Sequence, residues 1–426
     1  MIKRYLFPAM NLLFVLSAIL FFARATYGLR CPGDFIPVYA GARCLIVGCN
    51  PYDADQLNDL YVQQRVPARD LYGWDSSLPV YPPSTFVLLA PIAAMPYTTA
   101  RVCWFFLIGL LYVAAAAAIL PLCPREHRVL ALLLCSWLLI RSNRSLMIGQ
   151  PALLAVALLV FGCALLFHKR LLWLGAACLA LSVAVKPHIG LLVVFFLAIR
   201  GIQRKYAFSA LAGAMGLLLI GGGILSTRPV SGYWISNLRT NLATAELTDR
   251  PSDPTPHLNW IARVDLQSLF AVFTHNPATY RRLSYAVFLG VLMLFALSLP
   301  RFARGRDAGL VALAALACIS LMPVYHGSAD VAMMMIAIPG ALVVWHRNRR
   351  LGGAAVVLLF LILSPIQWKL QGWFLSHARW QSILDNRLVY ALLLRQQVLF
   401  LVLLTCVLLW AMRMWQEKPA HIAQVH

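Results

Sequence analysis

Charge is scarce in this chain of 426 residues, and negative charge is the scarcest, since Asp and Glu together number 15 against 36 Lys and Arg. Charged residues make up 12% of the sequence, about half of the ~25% found in soluble domains. Hydrophobic residues make up 61%. This composition excludes an ordinary soluble domain and predicts a polytopic membrane protein. The apolar segments also contain no acidic cluster, so we expect no metal site.

The motifs that soluble cofactors require are missing too. The chain has no glycine-rich nucleotide loop, no serine elbow and no paired-cysteine motif. We therefore expect no cofactor and no soluble nucleotide donor. The energy for any reaction must then arrive with a lipid-soluble substrate.

Positive charge dominates, with a formal net charge of +21, but its distribution is that of a membrane protein. Basic residues stand beside the ends of apolar segments, as at 200–205 and 347–350, which is the positive-inside pattern. We therefore predict membrane lipids, and no nucleic acid, as partners. Acidic residues concentrate in two loops, 24–83 and 226–283, which the same rule places outside the cytoplasm.

We predict a single all-α membrane domain, 1–426, with about 10–13 transmembrane or half-spanning helices and short amphipathic helices in its first outward loop. The N-terminus, ending in Ala23-Arg24-Ala25, also resembles a cleavable signal peptide. An uncleaved span is favoured because it would tether the loop that follows. The predicted segments are a first span 6–23, an outward loop 24–83, helices with short hairpins 84–225, a second outward loop 226–283, C-terminal spans 284–412 and a cytoplasmic tail 413–426.

Three of the predicted hairpins present polar residues outward. Their tips are Arg141 to Gln150 within 129–167, Lys186-Pro187-His188 within 171–199, and His326-Gly327-Ser328 within 308–345. The charge pattern allows 84–120 one net crossing, although Pro96 divides that segment into two helices.

Local signals predict two short helices in the first outward loop. Apolar positions recur at helical spacing over 35–47, with Arg43 on the other side, so we expect an amphipathic helix on the membrane surface. Asp53 and Gln56 form a capping box for a second helix, about 54–65. The same loop contains three cysteines, Cys31, Cys44 and Cys49. The sequence allows one disulfide among them but does not show which two cysteines pair.

Polar residues at the hairpin tips are expected to line a cavity, because irregular backbone at membrane depth is tolerated only there or inside protein. The candidates are Arg141, Asn143, Arg144, Gln150, Lys186, His188, His326 and Asp330. This mostly cationic set suits a phosphate-bearing ligand. For Arg141 and Arg144 the alternative is snorkelling to lipid headgroups. His326 and Asp330 also have the spacing of a metal pair, which Gly327 and the lack of a second nearby histidine disfavour.

Asp34 is the strongest candidate for a catalytic residue. It lies about eleven residues past the first span and beside the predicted helix 35–47, where its carboxylate would accept a proton from a hydroxyl as a general base. The alternative is that Asp34 caps that helix. Its position alone does not decide between the two interpretations.

A resemblance to a known family favours the catalytic interpretation. Over about residues 30 to 345, the chain resembles the bacterial polyprenol-phosphate-mannose-dependent mannosyltransferases of the glycosyltransferase C superfamily, glycosyltransferase family 87. The residues that carry the resemblance are, in order, Asp34-Phe35 with Tyr39, the stretch from Gly48 to Asp53, Tyr81-Pro82-Pro83 with Pro91, Gly149-Gln150, Lys186-Pro187, and Pro323 to His326.

The resemblance implies a multispan inner-membrane enzyme whose active site faces the periplasm or exterior. It implies an inverting transfer of a sugar, with mannose expected, from a polyprenyl phosphate to a glycolipid or glycan acceptor. Asp34 would be the general base. The implied substrate-binding residues are Lys186, His188, His326, Arg144, Gln150, Tyr39, Tyr81 and Asp330. The scheme requires no metal ion, because the cationic residues would stabilise the departing phosphate.

Two other function classes are compatible with a chain of this composition. A transporter or flippase for a lipid-linked saccharide should show related halves and charges near the middle of several spans. Here charge concentrates at hairpin tips and in loops, which favours chemistry at the membrane surface. A structural membrane protein would have no need of an isolated Asp34.

Overall fold

A computed structural model describes residues 2–26, 33–67, 79–248, 263–299, 305–323, 327, 329–364 and 366–415. These residues form helices and short connections, without a strand among them. Seven of the described helices are long and apolar enough to cross a membrane, and five are shorter apolar helices of 10–17 residues. The predicted all-α polytopic fold is confirmed.

The chain divides into two compact units. The N-terminal unit comprises 11–118 and 139–250, and the C-terminal unit comprises 1–10, 119–138 and 251–426. Helices α1 (Ile2–Ala25) and α6 (Arg128–Met147) contribute to both units, because the boundaries fall inside them.

The N-terminal unit also contains α2 (Phe35–Val47), α3 (Ala54–Gln63), α4 (Pro83–Ala93), α5 (Tyr97–Ala118), α7 (Ala152–Phe167), α8 (Leu172–Val185), α9 (Pro187–Arg200), α10 (Arg204–Ser226) and α11 (Trp234–Thr248). The C-terminal unit contains α12 (Leu266–Phe270), α13 (Pro277–Ser298), α14 (Arg306–Ser320), the 3-10 helix Asp330–Met335, α15 (Ala337–Arg347), α16 (Arg349–Leu363), α17 (Ile366–Ser376), α18 (Ala378–Leu384), α19 (Arg387–Leu394) and α20 (Gln396–Met414).

The break predicted at Pro96 separates α4 from α5. With 11 residues, α4 is about 16 Å long, roughly half of the ~30 Å hydrocarbon core. The following stretch, Tyr97–Leu122, has 26 residues and is long enough to cross. By length and composition, only the second of these two stretches is long enough to cross a membrane, and the single net crossing of 84–120 stays a prediction.

Helix α2 has the predicted bounds but differs from prediction in its surroundings. Ten of its 13 residues are buried, so it does not lie on the membrane surface as an amphipathic helix. Nearly every position is apolar, and a helix that is apolar all round is buried in protein. Its one charged residue, Arg43, donates from Nη1 to the carbonyl oxygens of Ala93 and Ala94, each at 3.1 Å, at the end of α4. Gly41 allows the close approach to α4, because an added Cβ would overlap the Phe86 ring.

Helix α3 begins as predicted. The Asp53 carboxylate accepts a hydrogen bond from the backbone N–H of Gln56 at 3.1 Å. The Gln56 side chain reaches back to the backbone N–H of Asn50 at 2.8 Å, three residues earlier than in a standard capping box. The turn before α3 is closed by a disulfide between Cys44 and Cys49. Cys31, the third candidate for pairing, lies outside the described residues.

The predicted hairpin at 171–199 corresponds to α8 and α9, with Lys186 as the single residue between them. In the hairpin at 129–167, α6 continues to Met147, so the tip is confined to 148–151 instead of the predicted 141–150. In the third hairpin, His326 and Ser328 lie outside the described residues.

Candidate functional site

The turn between α6 and α7 is built around Gly149. This residue has φ +70°, in the left-handed region that favours glycine. An added Cβ would lie 2.7 Å from the Cβ of Phe35, so the turn and the start of α2 also pack too closely for any side chain here. The Gly149 carbonyl accepts a hydrogen bond from Trp104 Nε1 at 2.8 Å. The turn is therefore fixed by backbone conformation, packing and a buried indole.

The same turn holds the start of α2. The backbone N–H groups of Asp34 and Phe35 both donate to the carbonyl oxygen of Ile148, at 2.9 and 3.2 Å. Two residues further along the turn, Gln150 Nε2 donates to Asp34 Oδ2 at 2.5 Å. Backbone and side-chain contacts thus join Asp34 to the α6–α7 turn.

Asp34 occupies the backbone position of a helix N-cap, but its half-buried side chain makes no capping hydrogen bond to α2. The carboxylate instead accepts from Gln150. The simpler of the two interpretations, in which Asp34 serves as a helix cap, is therefore not what the side chain does.

The Gln150 amide is oriented from its other side by Tyr81, whose hydroxyl donates to Oε1 at 3.2 Å. The Tyr81 carbonyl in turn accepts from the Tyr52 hydroxyl at 2.7 Å. Burial raises the pKa of Tyr52, so this phenol stays protonated and remains a donor. Asn241 Nδ2 donates to the carbonyls of Tyr52 and Pro79, at 3.1 and 3.3 Å. A chain of hydrogen bonds therefore supports the group that holds Asp34.

Tyr39 has protein partners for both its ring and its hydroxyl, and its predicted role in substrate binding stays a prediction. Its ring packs against Phe35 and Tyr97, with ring centroids 5.6 and 5.4 Å apart. Its hydroxyl donates to Gln64 Oε1 at 3.1 Å and to the carbonyl of Met95 at 3.0 Å. Tyr39 thus braces the first turn of α2.

The α8–α9 tip is held by the same segment that carries Tyr81. Ser84 Oγ donates to the carbonyl of Ala184 at 2.7 Å, and Thr85 Oγ1 donates to the carbonyl of Val185 at 3.0 Å. These hydroxyls satisfy carbonyls at the end of α8, immediately before Lys186. The segment 81–85 therefore contacts both hairpin tips of the N-terminal unit. Lys186 and His188 at the second tip are both half-buried.

The remaining candidate residues lie in α6 and in the C-terminal unit. Arg144 is exposed in the last turn of α6, while Arg141 and Asn143 are half-buried in that helix. Asp330 is 2% exposed in the C-terminal unit, at the start of its 3-10 helix, and its backbone N–H donates to Gly327 at 3.0 Å. His326 lies outside the described residues, so its pairing with Asp330 stays a prediction. Within the described ranges, no three His, Cys, Asp or Glu residues group as metal ligands.

Several supporting residues were not expected from sequence. Trp104 and Asn241 are far from Asp34 in the chain and gave no local signal, whereas Tyr52 lies in the Gly48–Asp53 stretch that carries the family resemblance but was given no role there. Ser84 and Thr85 did give one, because they are hydroxyl side chains at the start of an otherwise apolar run.

The fold and the site define a polytopic membrane protein that holds one carboxylate, Asp34, in a fixed orientation. The sequence profile of glycosyltransferase family 87 matches residues 80–324, and the chain belongs to this family. It is therefore a membrane glycosyltransferase. The matched residues include Tyr81, Gln150 and Lys186 and begin downstream of Asp34. Neither the curated proteins nor the solved structures contain a match to the chain.

The Gly149 turn gives a stability prediction. Gly149→Ala is expected to lower the thermal unfolding temperature more than Gly201→Ala, measured on purified protein in detergent. Both positions have left-handed φ, +70° and +74°, so both variants share a conformational cost of about 1 kcal/mol. Only Gly149 adds an overlap with Phe35, since nothing lies within 4 Å of a Cβ at Gly201; such overpacking costs about 1–3 kcal/mol more. Equal losses in the two variants would contradict the packing described here.

Proposed function

We propose that this glycosyltransferase transfers a sugar, with mannose expected, from a polyprenyl phosphate to a lipid or glycan acceptor, with inversion and with Asp34 as the general base. The observation that carries the proposal is how the Asp34 carboxylate is hydrogen-bonded. It is held by Gln150 in a fixed orientation and is not used to cap α2. A general base needs this kind of placement, because proton transfer requires hydrogen-bond reach to the reacting hydroxyl.

The proposed reaction is a single displacement at the anomeric carbon. The acceptor hydroxyl oxygen forms the new bond to that carbon while its proton passes to the Asp34 carboxylate. The bond between the anomeric carbon and the lipid phosphate oxygen breaks, and the phosphate leaves with the electron pair. Attack from the face opposite the phosphate inverts the configuration, and Asp34 then releases its proton to solvent.

Gln150 acts as a positioning residue in this scheme. Its amide donates to Oδ2 of Asp34, and a hydrogen bond to the charged form of a carboxyl group favours that form. Because Tyr81 fixes the amide oxygen, the NH₂ group is directed at Asp34. Gln150 therefore aims the carboxylate of the proposed base before substrate binds.

The departing phosphate is assigned to the cationic residues of the N-terminal unit. Lys186 and His188 flank Pro187 at the α8–α9 tip, which the Tyr81–Thr85 segment holds in place. Arg144, exposed in the last turn of α6, is the third proposed contact. Phosphate already carries negative charge when it leaves, so cations stabilise it more effectively than a proton donor would.

Two observations support a site on the non-cytoplasmic side of the inner membrane. The Cys44–Cys49 disulfide closes the end of α2, the helix that begins beside Asp34. Disulfides persist in oxidising compartments and are rare in the cytosol. The basic clusters at 200–205 and 347–350 are placed inside by the positive-inside rule.

The central prediction concerns Asp34→Asn. Purified protein in nanodiscs is given labelled polyprenyl-phosphate-mannose and membrane acceptors, and transfer is followed by chromatography. The variant keeps the size of the side chain and removes its ability to accept a proton, so turnover is expected to fall by about 10²–10⁴-fold. Asp59→Asn, the same change at an exposed position of α3, should leave transfer unchanged. Equal transfer by wild type and Asp34→Asn, at equal folded yield, would remove Asp34 from catalysis.

A second prediction uses pH. In Gln150→Glu, a new carboxylate replaces the amide beside Asp34, and like charge disfavours ionisation of the neighbouring group. The pKa of Asp34 should rise, so the acidic limb of the pH–rate profile should move to higher pH. Gln63→Glu, an exposed position in the same unit, is the matched control and should follow the wild-type profile. Superimposable profiles for Gln150→Glu and wild type would show that Gln150 does not act on the catalytic base.

A further inference from the structure

Tyr52, in the turn between α2 and α3, is a buried side chain to which the proposed reaction gives no role. It is 1% exposed, and its ring lies against Phe86 and Trp234, with ring centroids 5.6 and 6.1 Å apart. A buried phenol usually has a hydrogen-bond partner. The partner here is the carbonyl of Tyr81, to which the Tyr52 hydroxyl donates at 2.7 Å. Packing of the ring therefore fixes the place from which this hydroxyl donates.

The backbone of Tyr52 is held on both sides. Its N–H donates to Asn50 Oδ1 at 3.1 Å, an interaction typical of an Asx turn, and its carbonyl accepts from Asn241 Nδ2 at 3.1 Å. The N–H of Asn50 donates in turn to Gln56 Oε1 in α3, at 2.8 Å. Asn241 is 4% exposed and belongs to α11, in the second outward loop. Tyr52 is thus joined to both predicted outward loops.

The position of Tyr81 depends on the hydrogen bond that its carbonyl accepts from Tyr52. Tyr81 is followed by two prolines, which have a fixed φ and no N–H to donate. A residue before proline is itself restricted to extended conformations, so the backbone of Tyr81 has little freedom. Holding its carbonyl therefore limits where its side chain can lie. The hydroxyl of that side chain donates to Gln150 Oε1 at 3.2 Å.

We propose that Tyr52 is a positioning residue of the glycosyl transfer and that its hydroxyl acts on Asp34 through Tyr81 and Gln150. The path consists of hydrogen bonds from Tyr52 to the Tyr81 carbonyl, from the Tyr81 hydroxyl to Gln150, and from Gln150 to Asp34. Its members all belong to the N-terminal unit. The inference rests on the proposed function, because it requires Asp34 as the general base.

The test is the Tyr52→Phe variant, assayed in nanodiscs with labelled polyprenyl-phosphate-mannose. The change keeps the ring and its packing and removes only the hydroxyl. Because one hydrogen bond of the path is lost, kcat should fall about three- to tenfold, with KM for the donor unchanged. A less well-aimed Gln150 also favours the charged form of Asp34 less, so the pKa of Asp34 should rise and the acidic limb of the pH–rate profile should move to higher pH.

Tyr61→Phe is the matched control for this variant. It makes the same change at a residue of α3 in the same unit, and Tyr61 is also buried, at 4% exposed. Its kcat and pH–rate profile should be those of wild type. The proposal is overturned if Tyr52→Phe behaves like Tyr61→Phe. It is also overturned if Tyr52→Phe raises KM and leaves kcat unchanged, because the hydroxyl would then act on substrate binding.

A double-mutant cycle separates positioning from a general structural role. Gln150→Met keeps an unbranched side chain of similar length and removes the amide through which the path passes. Tyr52→Phe added to Gln150→Met should lower kcat no further, because residues that act through one another are not additive. The same loss of kcat from Tyr52→Phe in both backgrounds would show a structural effect and would overturn the proposal.

Asn241→Leu keeps the proposal testable if Tyr52→Phe does not fold. Leucine has a similar size but cannot donate to the carbonyl of Tyr52, so kcat should fall and the acidic limb should move in the same direction. Asn237→Leu, at a half-buried position one turn earlier in α11, is the control and should match wild type. Wild-type kinetics in folded Asn241→Leu would contradict the proposal.

The Asp34→Asn assay distinguishes failure of this inference from failure of the proposed function. If Asp34→Asn abolishes transfer while Tyr52→Phe keeps the wild-type kcat and pH–rate profile, the inference fails and the proposed function stands. If Asp34→Asn transfers sugar like wild type, the proposed function fails, and the inference fails with it.

Discussion

The hydrogen bond from Gln150 to Asp34 joins residues 116 positions apart in the chain, and the whole candidate site depends on it. It forms because the carbonyl of Ile148 accepts hydrogen bonds from the N–H groups of Asp34 and Phe35, and because Gly149 turns the chain in the left-handed region. A carboxylate in this setting has its direction set by the fold before any substrate arrives. Such preorganisation is worth more to catalysis than proximity alone, because no reorganisation is needed during the reaction.

The helix breaks around the site are stabilised by side chains that donate hydrogen bonds to the exposed backbone carbonyls. A full-length helix satisfies its own backbone, whereas a hairpin tip leaves carbonyl and N–H groups that lipid cannot satisfy. In this protein, Ser84 and Thr85 donate to the carbonyls at the end of α8, and Trp104 donates to that of Gly149. These side chains make irregular backbone tolerable where the polar residues are needed. The short helix α4 has this supporting role in addition to its packing against α2.

Local signals were sufficient to predict much of the fold. The proline at 96 separated two helices, Lys186-Pro187 marked a hairpin tip, and Asp53 capped α3, because each effect depends on residues only a few positions apart. Burial was harder to predict. The period of apolar residues in 35–47 was taken for one apolar face, although the helix is apolar on almost every side and lies inside the protein. Pairings such as Asp34 with Gln150, or Trp104 with Gly149, depend on tertiary packing and leave no trace in local sequence.

The most direct measurement is an experimental structure of the wild-type protein in nanodiscs with a non-hydrolysable phosphonate analogue of the polyprenyl-phosphate sugar and an acceptor. The reacting acceptor hydroxyl is expected to lie about 2.6–3.2 Å from a carboxylate oxygen of Asp34. The phosphonate should lie on the opposite face of the anomeric carbon, near Lys186 and His188. A sugar bound with its phosphonate beside Asp34, or with Asp34 out of reach of the acceptor, would contradict the role of Asp34 as the catalytic base.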